Sequence, residues 1–209
     1  ATIAQLLKQA GHTVFVLTIP DSLNAKNLKQ LDLRLVTHIN LNSKNPFRLL
    51  KAYRKLKKFL LEEQIDLINP HRSEGFPLFV FTARASRTFH PESPIPVIRT
   101  RGTTRPLLQH WLNRKMHTDW TECYITAGEI VAERLLNAVS ISPEKLKTIY
   151  YPVDCPELPL HPPIDYRNEF EIPQKAKVLA VVGRIRPVKG QRIILQSLSQ
   201  LVTEFSDLV

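Results

Sequence analysis

The chain has 209 residues, 43% of them hydrophobic, with a formal net charge of +10 and a pI near 9.8. That length and apolar content suit a folded α/β chain of one large domain, or one domain and part of another. No apolar run approaches the length of a membrane span. Two cysteines, Cys123 and Cys155, are too few for a disulfide framework or a zinc site. They read as small apolar residues in a reducing cytoplasm.

The predicted elements alternate. Helical spacing covers Thr2–Gln9, and a strand follows at Val14–Thr18, then another at Leu35–Ile39. Pro46–Glu63 is a long amphipathic helix, with apolar positions Leu49, Leu50, Tyr53, Leu56, Phe59 and Leu60. A strand at Asp66–Asn69, a helix at Gly75–Arg87 and a strand at Pro96–Arg99 come next. Pro106–His117, Glu122–Thr126, Ala127–Asn137 and Lys147–Tyr150 continue as helix, strand, helix and strand. Such alternation without internal repeats implies βαβ units, hence a largely parallel sheet with helices on both faces. From Pro152 to Pro173 six prolines oppose both helix and central strand. The domain reading is therefore residues 1–154, a Pro-rich linker over 155–176, and the first strand and helix of a second domain over 177–209. The chain opens and closes in predicted helices, so both ends are expected to be cut.

The second domain opens on the most informative run, Val178-Leu179-Ala180-Val181-Val182 followed by Gly183-Arg184-Ile185-Arg186-Pro187-Val188-Lys189-Gly190. Five consecutive apolar residues predict a strand covered on both faces. Gly183 lets the chain turn and Pro187 keeps the loop non-helical. Apolar residues at Ile194, Leu195, Leu198, Leu201 and Val202 then predict a helix. A loop at the carboxyl end of a parallel strand, with Arg184 and Lys189 beside a helix N-terminus, favours an anion such as a diphosphate. The plain alternative is two solvated charges on an ordinary connection.

These residues resemble the donor loop of the glycosyltransferase family 4 enzymes. Ala10-Gly11-His12-Thr13-Val14, Pro96-Val97-Ile98-Arg99-Thr100-Arg101, Thr126-Ala127-Gly128-Glu129 and Ile149-Tyr150-Tyr151-Pro152-Val153-Asp154 resemble further family motifs, in the same order along nearly the whole chain. The resemblance implies a GT-B architecture, two Rossmann-like domains with the second truncated here. It implies a retaining transferase that moves a sugar from a nucleotide diphosphate sugar to a hydroxyl acceptor without a cofactor or metal. Gly183, Arg184, Lys189 and Gly190 would hold the donor diphosphate, and His71, at a strand end, would position the transferred sugar. Glu74, Arg99, Arg101 and Glu129 would meet the acceptor, across a cleft closing between the domains. Each has a structural alternative: His71 as a loop histidine, Glu74 as a helix cap, Arg99 and Arg101 in a solvated loop, Glu129 as a favourable charge at a helix start. Gly102 stands where many relatives carry a histidine, so a role resting on that histidine is not carried over. The family's Gly-rich loop and paired donor-domain glutamates do not occur in this sequence, so the segment alone is expected to have little activity.

The basic charge implies an anionic partner. Its densest cluster is Arg48, Lys51, Arg54, Lys55, Lys57 and Lys58. The apolar stripe of that helix is expected to cover the sheet, and its charged face to meet solvent, a phosphorylated glycolipid or the inner face of an anionic membrane. No nucleic-acid motif accompanies the charge, so nucleic acid is not expected as a partner. A glycan, glycolipid or lipopolysaccharide acceptor of the cell envelope is the expected partner beside the nucleotide sugar. Two rival readings remain, a non-catalytic basic protein that binds anionic membranes and another GT-B enzyme such as an epimerase. A nicotinamide dehydrogenase is disfavoured, because no G-x-G-x-x-G follows a predicted strand.

Overall fold

The computed structural model describes residues 2–20, 22–41, 43, 45–86, 94–152 and 164–205. The chain divides into two compact units, Ala1–Val153 and Asp154–Val209. In the first, α1 (Thr2–Gln9) leads to β1 (Phe15–Leu17), and α2 (Leu23–Lys29) to β2 (Arg34–Val36). Then come α3 (Pro46–Glu62), α4 (Phe76–Ala85), β3 (Ile98–Arg101), α5 (Trp111–Thr118), β4 (Cys123–Thr126), α6 (Glu129–Ala138) and β5 (Leu146–Thr148). All pairing is parallel. β1 pairs with β2, Phe15 opposite Arg34, and β4 lies between β3 and β5. The fold is the α/β class expected from the alternation.

The strand predicted at Asp66–Asn69 shrinks to a single parallel bridge between Ile68 and Val97. Ile68 donates to the Pro96 carbonyl at 3.0 Å and accepts from the Ile98 N–H at 2.9 Å. Pro70 and Pro96 lack the donors that would extend the ladder. Helix α5 begins at Trp111 instead of Pro106. The carbonyls that would start the earlier turn are taken: Arg105 O by the Arg101 guanidinium, and Leu108 O by Asn113 Nδ2 at 2.6 Å. His110 then caps α5, its Nδ1 accepting from the Asn113 N–H at 3.2 Å. Helix α2 was not anticipated, although Ser22 caps it, accepting from Ala25 N–H at 3.1 Å.

The main core joins Ala52, Leu56 and Leu60 of α3, Phe76, Val80 and Ala83 of α4, and Val97, with Phe15 and Leu17 packed against it. Leu56, Phe59 and Leu60 of the expected α3 stripe thus cover the sheet, whereas Leu50 stays exposed. A second cluster, Tyr124, Leu135, Val139 and Ile141, seats α6 on the three-stranded ladder. Cys123 is a half-buried free thiol, and Cys155 lies outside the described residues.

In the second unit α7 (Tyr166–Glu169) falls inside the Pro-rich stretch, capped by Asp165. Most of the rest of that stretch, residues 153–163, lies outside the described residues. Helix α8 spans Gln191–Glu204. The buried strand expected at Val178–Val182 does not form. Lys177, just before it, forms a bridge, but no strand is assigned among this unit's described residues. Val182 is 96% exposed.

Gly75 joins the bridge region to α4 with φ +81°, and a Cβ there would lie 2.8 Å from Leu41 Cβ. Gly75→Ala is expected to lower stability by about 1–3 kcal/mol, measured by urea unfolding.

Candidate functional site

In parallel α/β sheets the carboxyl ends of the strands form the ligand edge. Here that edge is built by the loops after Ile68, β3, β4 and β5, and side-chain and backbone hydrogen bonds lock them together. Thr100 N–H and Oγ1 donate to Asn69 Oδ1 at 3.2 and 2.9 Å. Ala127 N–H donates to Arg101 O at 3.0 Å, and Ile149 N–H to Thr126 O at 2.9 Å. His71, Glu74, Arg99, Arg101 and Glu129 therefore share one edge. The more enclosed depression, about 310 Å³ between Lys8, His12 and Arg34, lies at the amino ends of β1 and β2, where such sheets do not place their chemistry.

The sequence predicts a strand over Pro96–Arg99, but β3 runs to Arg101 and buries both arginines, 3% and 7% exposed. The Arg99 guanidinium lies over the Phe76 ring, 3.8 Å from its centroid. Nη2 donates to Ser73 Oγ at 3.1 Å, and Nη1 stands 3.5 Å from His117 Nε2. An arginine only donates, so His117 Nε2 presents its lone pair and the ring proton sits on Nδ1, 2.6 Å from Tyr124 Oη. Tyr124 Oη in turn donates to His117 O at 3.1 Å. Burial, with the neighbouring arginine charges behind it, pushes His117 down to about 3. It pushes Tyr124 up to about 12 and Arg99 down to about 10. Arg101 is also lowered by burial. It folds back on its own loop, donating to the carbonyls of Thr103 and Arg105. The reading of a solvated loop is thus corrected: both guanidiniums are buried, and Arg101 organises residues 102–105.

His71 keeps an exposed edge, yet desolvation by its surroundings lowers its pKa, which favours the neutral imidazole. Glu74 is exposed, and its own backbone N–H and the Arg72 guanidinium, 3.3 Å away, hold its carboxyl below the usual range. It does not cap α4, whose N-cap is Gly75 without a side-chain bond. Glu129 opens α6, exposed, with Gly128 as an N-cap that also lacks a side-chain bond.

In the second unit Gly183, Arg184, Lys189 and Gly190 enclose a single 3-10 turn at Pro187–Lys189. Gly190 is the N-cap of α8, and Gln191 Nε2 donates to Arg184 O at 3.0 Å. Arg184 and Lys189 are exposed, and among the described residues neither side chain makes a hydrogen bond or ion pair. Among the described residues no three His, Cys, Asp or Glu side chains are placed to hold a metal ion.

Residues 1–157 match the family model for Glycosyltransferase Family 4. The chain belongs to this family. A glycosyltransferase from Rickettsia africae ESF-5 superposes with TM-score 0.74 at 18% identity, over 95% of this chain and 52% of that one. MurG of Acinetobacter baumannii gives 0.51 at 17%, over 76% and 42%. A UDP-N-acetylglucosamine 2-epimerase from Rickettsia bellii gives 0.50 at 14%, over 99% and 56%. These likenesses show the fold, that of GT-B glycosyltransferases, and the family 4 chain spans about half the length of each. No curated protein matches it.

Sequence reasoning found the edge but missed the His117–Tyr124 pair inside this family 4 unit. A signal was present: both are polar-capable residues on apolar faces, His117 beside Met116 in α5 and Tyr124 inside a covered strand.

The buried, neutral His117 has a pH consequence. Its folded value, about 3, lies below the ordinary 6.5, so the unfolded chain binds the extra proton. Stability contributed above pH 6.5 is lost as pH falls toward 3, with a slope of about 1.4 kcal/mol per pH unit for one proton. His117→Gln is expected to remove one proton from that slope, read from urea unfolding at several pH values.

Proposed function

We propose that the chain is the acceptor-side unit and donor loop of a transferase that moves a glycosyl group from a nucleotide diphosphate sugar to a hydroxyl, with the anomeric configuration retained. Family membership supports transfer in general. The observation that carries the finer reading is the 183–190 loop, with two exposed cations and a glycine-capped turn directly before the N-terminus of a 14-residue helix. Leaving-group departure puts charge on a diphosphate while positive charge grows at the anomeric carbon. Fixed cations and free helix N–H groups stabilise the diphosphate without reorganising. Arg184 and Lys189 supply that role, with Gly183 and Gly190 shaping the turn, and the chemistry needs no cofactor or metal.

His71, neutral and partly desolvated, positions hydroxyls of the transferred sugar. Glu74 and Glu129, both exposed, bind acceptor hydroxyls. Arg99 and Arg101 act through the loops they hold, and their charge favours an acceptor bearing an anionic group, such as a glycolipid or lipopolysaccharide precursor of the cell envelope. A cytoplasmic place of work, with peripheral contact at the inner face of a membrane, belongs to the same reading.

Titrating the ¹⁵N-labelled chain with uridine diphosphate tests the donor assignment. Amide shifts are expected within residues 183–194. Arg184→Ala and Lys189→Ala should each weaken binding about tenfold to a hundredfold, the range for a charge-assisted hydrogen bond. Shifts confined to other residues, or binding unchanged in both variants, would overturn it.

A further inference from the structure

Helix α3 carries six cations, Arg48, Lys51, Arg54, Lys55, Lys57 and Lys58, against one carboxylate, Glu62. Its core stripe is spent on the sheet, Leu56 being fully buried. Large apolar groups nevertheless remain outside. Phe47 is 82% exposed, Leu50 48%, and Phe81 on α4 38%. Leu50 and Phe81, with Leu49, Tyr53, Leu78 and Ala85, line an apolar groove of about 530 Å³ between α3 and α4.

Helical spacing puts Phe47, Leu50, Lys51, Arg54 and Lys58 on one outward side, since residues three, four and seven apart stack along a helix. Cations and apolar groups thus occupy the same exposed face. Lys55 is turned away from it, with Nζ on the His38 carbonyl at 3.2 Å. Lys58 meets Glu62 at 3.5 Å, but both are well exposed and such a pair is weak.

We propose that this α3–α4 face docks on the anionic surface of a phospholipid bilayer. Phe47, Leu50 and Phe81 enter the boundary between headgroups and acyl chains, and Lys51, Arg54 and Lys58 meet lipid phosphates. Charge complementarity decides for this occupant. Lysine is depleted at protein–protein interfaces, whereas this face alternates it with apolar side chains, the pattern of an interfacial helix. No helix among the described residues is long and apolar enough to cross a membrane, so the contact is made from one side. This deepens the peripheral-contact part of the proposed function and rests on that part alone, independently of the sugar chemistry.

Sedimentation with lipid vesicles tests it, using the 209-residue chain. The chain should pellet with vesicles of equal parts phosphatidylcholine and phosphatidylglycerol, stay in solution with phosphatidylcholine alone, and be released by added salt. The triple variant Lys51→Gln, Arg54→Gln, Lys58→Gln should weaken partitioning about fivefold per charge removed. Phe47→Ser with Leu50→Ser should weaken it on the anionic vesicles as well. Both variants replace exposed side chains, so circular dichroism should match the parent. Three results would overturn the proposal: equal binding to both vesicle types, anionic binding unchanged in both variants, or a concentration-dependent dimer that Phe47→Ser abolishes. None of these bears on uridine diphosphate binding at residues 183–194, so this proposal and the donor assignment fail separately.

Discussion

Two guanidiniums are buried in β3 with no carboxylate in ion-pair range among the described residues, and the candidate edge takes its form from that constraint. Removing a cation from water costs several kcal/mol, and here no opposite charge offsets it. The protein uses what remains. Arg99 sits over the Phe76 ring, a contact worth about 2 kcal/mol when desolvated. Its N–H groups go to Ser73 Oγ and the bare nitrogen of a neutral His117, and Arg101 goes to two carbonyls of its own loop. A protonated His117 would add a third cation and remove an acceptor. Its ring therefore stays neutral, Tyr124 stays protonated, and each supports the other. The same bonds fix the loops: Arg99 ties the 70–75 segment to β3, and Arg101 shapes 102–105. Stability and site geometry are in this respect one network.

The helix starts divide in a way that agrees with this. Side chains cap α2, α3, α5 and α7, from Ser22, Asn45, His110 and Asp165. The helices that follow the candidate loops, α4, α6 and α8, begin after Gly75, Gly128 and Gly190, none with a side-chain cap. In α4 the Phe76 N–H goes to Ser73 O and Pro77 has no N–H, but the first two N–H groups of α6 and α8 take no side-chain cap, and the helix dipoles add positive potential where the sugar and phosphate chemistry is proposed. Glycine at a helix start is modestly favoured in any case. For α4 and α6 the regularity gains weight because it coincides with the carboxyl edge of the first unit's sheet.

Much of the fold was legible because period and punctuation agree. Helix α3 has a clean apolar stripe, an Asn45 cap and Pro46 at its first turn. The alternation of strands and helices was legible, although α2 between the first two strands was not, and the order of the strands comes from the structure. At 178–182 a continuous apolar run predicted a strand, but the bridge at Lys177 does not extend into it. The site was legible as to its edge and less so as to its chemistry. Ending the third strand at Arg99 placed Arg101 in a loop. Carrying it two residues further puts both arginines inside a covered parallel strand, where a charge must find partners. The run Ile98-Arg99-Thr100-Arg101 contains that information, but only pairing with Cys123–Thr126 fixes the register that shows it.

Gly102 illustrates how one strand end can take over work from another. Its backbone does not demand glycine, but a Cβ there would lie 2.4 Å from Tyr151 Oη. The loop after β5 therefore closes over the loop after β3, across β4, and the absent side chain is what admits the phenol. The family resemblance places a histidine at this position in many relatives. In this chain the hydrogen-bonding group at the same spot comes from Tyr151 and remains half exposed to solvent. A tyrosine hydroxyl both donates and accepts hydrogen bonds. A hydroxyl or anion at this part of the edge would therefore meet a phenol that can both give and take a hydrogen bond, beside two arginines buried in β3.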